Sequence, residues 1–150
     1  MKNILIIIGI MMITNHSVAA ASVEIWEGDG VLFNSERKVI SNYKLTVQNI
    51  ELSDKVTQSN VTVKLPDGSV RKYQCTNTYG EKGWSTQCDD GEGGGYCFGQ
   101  GLCQSYISHS NGNSFATTIV KDGPKNMRLL RTQLEEGRAT GFFREKLHKK

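Results

Sequence analysis

All four cysteines of this chain fall within residues 75–103, and this stretch constrains the fold more than any other feature of the sequence. The same stretch is rich in glycine, which widens the unfolded ensemble and therefore costs entropy on folding. A disulfide acts in the opposite direction, because it narrows the unfolded ensemble. A segment that combines the two is expected to be a loop-rich region held in place by disulfide bonds.

The spacing of the cysteines suggests how they are bonded. An even number of cysteines in an exported chain indicates a disulfide framework, although several pairings are open from sequence. We favour Cys75–Cys88 and Cys97–Cys103, since each pair would close one hairpin. The alternatives are a zinc site and a redox-active pair. Both favour a close C-x-x-C pair, which this sequence lacks, so no metal is predicted.

The N-terminus has the three-part pattern of a secretory signal peptide. Lys2 precedes an apolar run over residues 4–13 and a small-residue cleavage region over residues 17–21. The alternative is a membrane anchor, but the apolar run is shorter than the roughly 20 residues that cross a bilayer. We therefore predict a signal peptide over residues 1–21, a single disulfide-bonded β domain over residues 22–150, and a periplasmic or secreted location.

The remaining chain reads as short strands joined by turns. Apolar and polar residues alternate with the period of a strand, and turn signals recur at residues 66–68, 111–112 and 122–124. Such a meander has two exposed edges unless the sheet closes on itself. The predicted fold is therefore all-β, an antiparallel up-and-down meander of about eight strands that closes into a small barrel. A β-sandwich is the second choice.

Residues 25–30, with the sequence IWEGDG, resemble the first strand of calycin-type small β-barrels. Lipocalins begin with a glycine-x-tryptophan strand, and nitrobindin-like barrels carry a tryptophan followed by spaced glycines. Trp26, Gly28 and Gly30 match the second pattern. The resemblance implies that Trp26 plugs one end of the barrel, while the other end holds a small apolar ligand or haem.

The aromatic side chains suggest what the barrel could bind. If they leave the interior incompletely filled, they would line an apolar pocket for a small ligand. The predicted lining residues are Trp26, Tyr43, Trp84, Tyr106 and Phe115. Of the adjacent pair Phe142 and Phe143, one must point outward, toward a partner or a covering loop, because neighbouring strand residues face opposite sides. The alternative function is a protein-interaction module, with an envelope or host partner or as an inhibitor, that uses a glycine-rich loop at residues 89–101.

Several function classes find no support in the sequence. No catalytic or nucleotide-binding motif is present, so we predict a non-enzymatic protein without a cofactor. Asp89, Asp90 and Glu92 lack the register of a calcium loop, and His109 is expected at the surface. The formal net charge of +3 is too small to indicate nucleic-acid binding. A monomer without a membrane span is expected.

Overall fold

The computed structural model describes residues 21–99 and 101–150. The predicted signal peptide lies outside the described residues except for its last position, and its cleavage stays a prediction. The described chain forms ten strands. They are β1 (Val23–Asn34), β2 (Val39–Ser53), β3 (Val56–Lys64), β4 (Val70–Tyr79), β5 (Trp84–Cys88), β6 (Gly91–Cys97), β7 (Leu102–His109), β8 (Asn113–Lys121), β9 (Asn126–Glu135) and β10 (Arg138–Lys149).

The sheet is a closed antiparallel barrel in which each strand pairs with the next one along the chain. The closure is made by β1, which pairs with both β2 and β10. The all-β class, the meander and the closure are therefore as predicted, although the ten strands exceed the predicted number of about eight. The second choice, a sandwich, does not describe this sheet, because its first and last strands pair with each other. Closure gives every strand a hydrogen-bonding neighbour on both sides.

The glycine-rich residues 89–101 form a strand over most of their length, so the prediction of a loop there was wrong. β6 pairs with β5 on one side and with β7 on the other. The glycines permit this pairing because the backbone of β7 comes very close. A Cβ atom built on Gly93 would collide with the carbonyl oxygen of Tyr106 and approach the Cα of Ile107. Glycine inside a strand commonly marks such a close approach.

Gly93→Ala is expected to lower the free energy of unfolding by about 2 to 3 kcal/mol, because the added methyl group forces the β6 and β7 backbones apart. The matched control is Gly141→Ala in β10. A Cβ there meets no atom closer than 3.5 Å, and a change within about 0.5 kcal/mol is expected. Urea unfolding of both variants measures the difference. Equal stability of the two variants would contradict the close approach at Gly93.

The disulfides are those that the hairpin argument predicted. Cys75 lies directly opposite Cys88, and Cys97 lies directly opposite Cys103. The Cα atoms of the two pairs are 4.0 Å and 3.9 Å apart. One bond joins β4 to β5, and the other joins β6 to β7. Both are consistent with an oxidising compartment.

The hydrophobic core is displaced toward β1, β2, β9 and β10. Its buried residues are Trp26, Tyr43, Leu45, Leu129 and Leu147. Because partners across a ladder share a face, these residues define which side of every strand points inward. The short strands β5 and β6 contribute mainly small residues to the interior, among them Thr86, Gly93 and Gly95. Apolar packing is therefore concentrated on one side of the barrel.

Candidate functional site

Four of the five predicted pocket residues face the interior, and one does not. Trp26 and Tyr43 belong to the core, Phe115 contacts the inward ring of Phe143, and Trp84 packs over the inner face of Gly95. Tyr106 points outward and is 49% exposed, so its predicted place inside the barrel was wrong. Whether the four inward residues contact a ligand stays a prediction.

A chain of aromatic rings crosses the interior. The ring of Tyr43 lies 6.4 Å from that of Phe143, which lies 6.0 Å from Phe115. Phe115 in turn lies 5.4 Å from the imidazole of His109. All three contacts have the edge-to-face geometry that aromatic pairs favour. Tyr43 is buried, whereas Phe115 and Phe143 are only partly buried. Phe143 points inward and Phe142 outward, as adjacent strand residues must.

His109 lies at the rim of the barrel, and its side chain is only 15% exposed. It is therefore a rim residue that is less exposed than predicted. The Nδ1 atom is 2.9 Å from Asp90 Oδ1, in the turn between β5 and β6. The imidazole is thereby oriented between an aromatic ring and a carboxylate. This contact links the end of β7 to the turn between β5 and β6, which carries Asp89 and Asp90.

The acidic turn residues are held by neighbouring groups. Asp89 Oδ2 accepts a hydrogen bond from the backbone N–H of Gln74 at 3.2 Å, while Asp90 contacts His109. Within the described ranges, no group of three or more histidine, cysteine, aspartate or glutamate side chains is arranged to hold a metal ion. The same ranges contain no helix that is long and apolar enough to cross a bilayer.

Trp26 lies at the end of the barrel where β1 begins and β10 ends, and it is 3% exposed. Its Nε1–H donates to Glu24 Oε2 at 2.9 Å, and Lys149 forms an ion pair with the other oxygen of Glu24 at 2.5 Å. Partial burial alone would raise the pKa of Glu24. The hydrogen bonds from Lys149 and Trp26 outweigh that effect, so its pKa lies below the ordinary value. The polar edge of Trp26 is thus satisfied at this end of the barrel.

A charged group is buried inside the barrel, where Tyr43, Arg131 and Glu145 meet. The Tyr43 hydroxyl donates to Glu145 Oε1 at 2.6 Å, and Arg131 Nη2 donates to Glu145 Oε2 at 3.2 Å. The Glu145 side chain is only 2% exposed. Burial, together with the charge and hydrogen bond of Glu145, raises the pKa of Tyr43 well above its usual range. Tyr43 therefore stays protonated and acts as a donor.

No local motif in the sequence points to this triad. Its members lie on three different strands, and Tyr43 and Glu145 are 102 positions apart. One feature of the sequence could have indicated the triad. Glu145 occupies an inward position between Phe143 and Leu147, where strand alternation predicts an apolar side chain. A charged residue at such a position requires a buried partner.

The part of the interior between β2 and β5 is polar and internally satisfied. Thr86 Oγ1 donates to Asn77 Oδ1 at 2.8 Å, and Asn77 Nδ2 donates to Ser59 Oγ at 3.0 Å. Ser59 Oγ then donates to Asn49 Oδ1 at 2.8 Å. This chain of hydrogen bonds joins four strands across the inner face. These polar groups bond to one another, so we assign them a role in holding the strands together.

A trough of about 500 Å³ runs along the outer face of β8. Small residues of β8, Ala116 and Thr118, form its floor. Tyr106 borders it on the β7 side and Leu130 on the β9 side, while Tyr96 of β6 lies opposite Gln104 of β7 and donates a hydrogen bond to the side chain of Gln104. Tyr96, Tyr106 and Leu130 are 46%, 49% and 50% exposed. Among the described residues, no charged side chain lines this surface, which we call the β8 trough.

Comparisons with known proteins are sparse for this chain. No family model matches it, and no curated protein matches it. Among solved structures, it is similar to a protein described as a de novo design of a fluorescence-activating beta barrel. The TM-score is 0.44 at 10% identity, over 83% of this chain and 91% of that chain. A similarity at this level carries no conclusion about function.

Proposed function

We propose that this protein is an exported, non-enzymatic binding protein that presents the β8 trough to a protein partner. The observation that carries the proposal is the exposure of three large side chains at the trough. Tyr96, Tyr106 and Leu130 are each about half exposed. By contrast, the inward rings of the barrel pack against one another.

The shape of the trough suits the side chains of a partner. Tyr106 lies between Gly94 and Ala116 in the ladder, so little side-chain volume covers either face of its ring. Tyrosine is among the residues that contribute most at protein interfaces, especially where a partner side chain fills an adjacent hollow. Because none of the described residues that line the trough is charged, a partner can cover them without burying an unpaired charge.

The mode of docking follows from the closed sheet. A closed barrel offers no free strand edge to which an extended peptide can add. A partner must therefore contact outward side chains. Residues 89–101 still take part, through Gly94 and Tyr96, but as an ordered strand and not as a loop. The proposed partner therefore still contacts residues 89–101, as the sequence predicted, but it contacts them as part of a strand.

A photo-crosslinking experiment tests this proposal. Benzoylphenylalanine placed at Thr118, on the floor of the trough, is expected to capture one discrete protein from the source organism. The same residue placed at Thr62, on the outer face of β3, is expected to capture none. Adding Tyr106→Ala should reduce the Thr118 crosslink by about fivefold or more, because truncating a central interface residue commonly costs more than about 1 kcal/mol.

Two results would contradict the partner proposal. One is equal capture from Thr118 and Thr62, which would indicate nonspecific contact. The other is a Thr118 crosslink that Tyr106→Ala leaves unchanged. Mass spectrometry of the mature protein tests the export proposal separately, because cleavage of the signal peptide would leave an N-terminus near Ala21.

A small apolar ligand inside the barrel is the second candidate, together with membership of the calycin-type barrels. It is supported by the inward position of four predicted pocket residues and by partial exposure of Ser105, Ile107 and Thr117 on the inner faces of β7 and β8. Native mass spectrometry of protein from its own source tests this candidate, since a bound small molecule would add a defined mass. The mass of the bare polypeptide would count against it.

A further inference from the structure

A second depression, of about 320 Å³, lies where β1, β9, β10 and the turn between β1 and β2 meet. It adjoins the β8 trough at Leu130 and Thr132, but its chemistry differs. Its outward side chains include two phenylalanines and two arginines, which are Phe33, Phe142, Arg37 and Arg144, while Phe143 and Arg131 also line it although their side chains point into the barrel. No aspartate or glutamate of residues 21–99 and 101–150 lines it. We call it the Arg–Phe pocket.

The apolar wall of the Arg–Phe pocket is formed by rings on adjacent strands. Phe33 of β1 lies directly opposite Phe142 of β10, and both side chains are on the outer face. Phe143, the next residue of β10, points into the barrel, so Phe33 and Phe142 alone supply the rings of this outer wall. Rings side by side on a sheet present a surface that a flat apolar group can cover.

The guanidinium of Arg144 lies over one ring of this wall. The guanidinium carbon lies 5.5 Å from the centroid of the Phe33 ring, within the range of a cation–π contact. A guanidinium carries five N–H donors, and Arg144 is exposed to solvent. Those donors remain able to bind an anion.

Arg37 extends from the turn between β1 and β2. The turn is closed by hydrogen bonds from Arg37 N–H to Asn34 O at 2.9 Å and from Asn34 N–H to Lys38 O at 3.0 Å. Arg37 has a positive φ of 64°, a conformation that costs a non-glycine residue about 1 kcal/mol. The turn therefore fixes the backbone of a second arginine at the rim of the pocket.

The positive charges of the pocket are only partly compensated. Arg131 is paired with Glu145, whose other oxygen accepts from Tyr43. The buried Nε–H of Arg131 has no hydrogen-bond partner among the described residues. Arg37 and Arg144 take no part in the ion pairs of that same part of the chain. Two cationic groups thus stand beside a phenylalanine wall that carries no carboxylate of the described residues.

The geometry points to a binding site for a small amphipathic anion, with one carboxylate, sulfonate or phosphate group attached to a planar apolar body. Arginine binds such groups through paired N–H donors, and the phenylalanine rings would cover the apolar body. The volume is near the lower end of the range for small-molecule sites, roughly 300 to 1,000 Å³, which suits a ligand of a few rings. This site does not depend on the partner proposed for the β8 trough.

Two dyes that share a ring system test this inference. Anilinonaphthalene sulfonate carries the anionic group, whereas N-phenylnaphthylamine lacks it. Fluorescence titration is expected to show that the sulfonate dye has a dissociation constant about tenfold lower than the neutral dye. One charge-assisted hydrogen bond contributes roughly this factor to affinity. Arg144→Gln and Arg37→Gln should each weaken sulfonate binding by about tenfold, and should change binding of the neutral dye by less than about twofold.

Lys146→Gln is the matched control, because Lys146 lies on the same strand and face as Arg144 but does not line the pocket. It should change sulfonate binding by less than about twofold, since an exposed charge outside the site contributes little. Tyr106→Ala should also leave the titration unchanged, which separates this site from the trough. Equal weakening by Lys146→Gln, or no effect of either arginine variant, would overturn the inference. Arg37 lies in an exposed turn, so its variant keeps the test valid if Arg144→Gln does not fold.

Discussion

Replacing both disulfides by pairs of alanine is expected to leave a protein that is at most marginally folded. The Cys75–Cys88 bond spans 13 residues, and its loss should cost about 3 kcal/mol of unfolding free energy in the loop-entropy account. The Cys97–Cys103 bond spans 6 residues and should cost about 2.4 kcal/mol. Together they slightly exceed the stability of the least stable natural domains, which is about 5 kcal/mol.

Urea unfolding followed by tryptophan fluorescence measures these losses. The variant lacking Cys75–Cys88 should be less stable than the variant lacking Cys97–Cys103, and the variant lacking both should be the least stable. Reducing the unsubstituted protein should reproduce the variant that lacks both bonds, which controls for the alanine side chains. The loop-entropy account would be refuted if removal of Cys75–Cys88 changed the unfolding free energy by less than about 0.5 kcal/mol.

Glu145→Leu is expected to lower the free energy of unfolding by about 4 kcal/mol. The substitution leaves the Arg131 guanidinium without its counter-charge and the Tyr43 hydroxyl without its acceptor. Breaking one side of a buried ion pair typically costs about 3 to 5 kcal/mol for this reason. Arg131 is 30% exposed, so some of that charge can be hydrated, and we expect a value near the middle of the range.

The double variant Glu145→Leu/Arg131→Leu is the control for this prediction. Removing both charges should restore most of the stability, to within about 1 to 2 kcal/mol of the unsubstituted protein, since no unpaired charge remains. A double variant as unstable as Glu145→Leu would contradict the ion-pair explanation. It would show that the cost comes from packing.

Tyr43→Phe removes only the hydrogen bond of this triad and should cost about 1 kcal/mol at neutral pH. The raised pKa of Tyr43 adds a dependence on pH. Its stabilising effect is fully present below the ordinary tyrosine pKa of about 10 and is lost as the pH rises above it, because the unfolded chain then releases the proton more readily. The alkaline decline in stability should therefore be shallower in Tyr43→Phe.

Predicting the fold depended on features that are local in the sequence. Turn signals such as Asn111-Gly112 delimited the C-terminal hairpins, and the cysteine spacing gave the correct pairs. β6 was not predicted because a run of glycines shows no alternation of apolar and polar side chains, which is the pattern that indicates a strand. Only the approach of the β7 backbone to Gly93 explains why glycine is needed there. A run of glycines reads as a loop until its neighbouring strands are known.

The candidate sites were harder to predict from the sequence than the fold was. Tyr106 was assigned to the interior because the broken pattern over residues 96–109 does not fix the phase of the strand. Its pairing with Gly94 and Ala116 does. The Arg–Phe pocket combines Arg37 with Arg144, which are far apart in the chain and meet only because β1 closes the barrel against β10.

The sequence by itself determined the all-β class and the meander, and it favoured the correct disulfide pairs, because strand alternation, turn chemistry and cysteine spacing act over a few residues. Only the tertiary structure decided which side of each strand faces inward, how the charge of Glu145 is compensated, and which outward side chains share a surface. Those properties depend on closure and register, which bring together residues from opposite ends of the chain and are not encoded in any single segment.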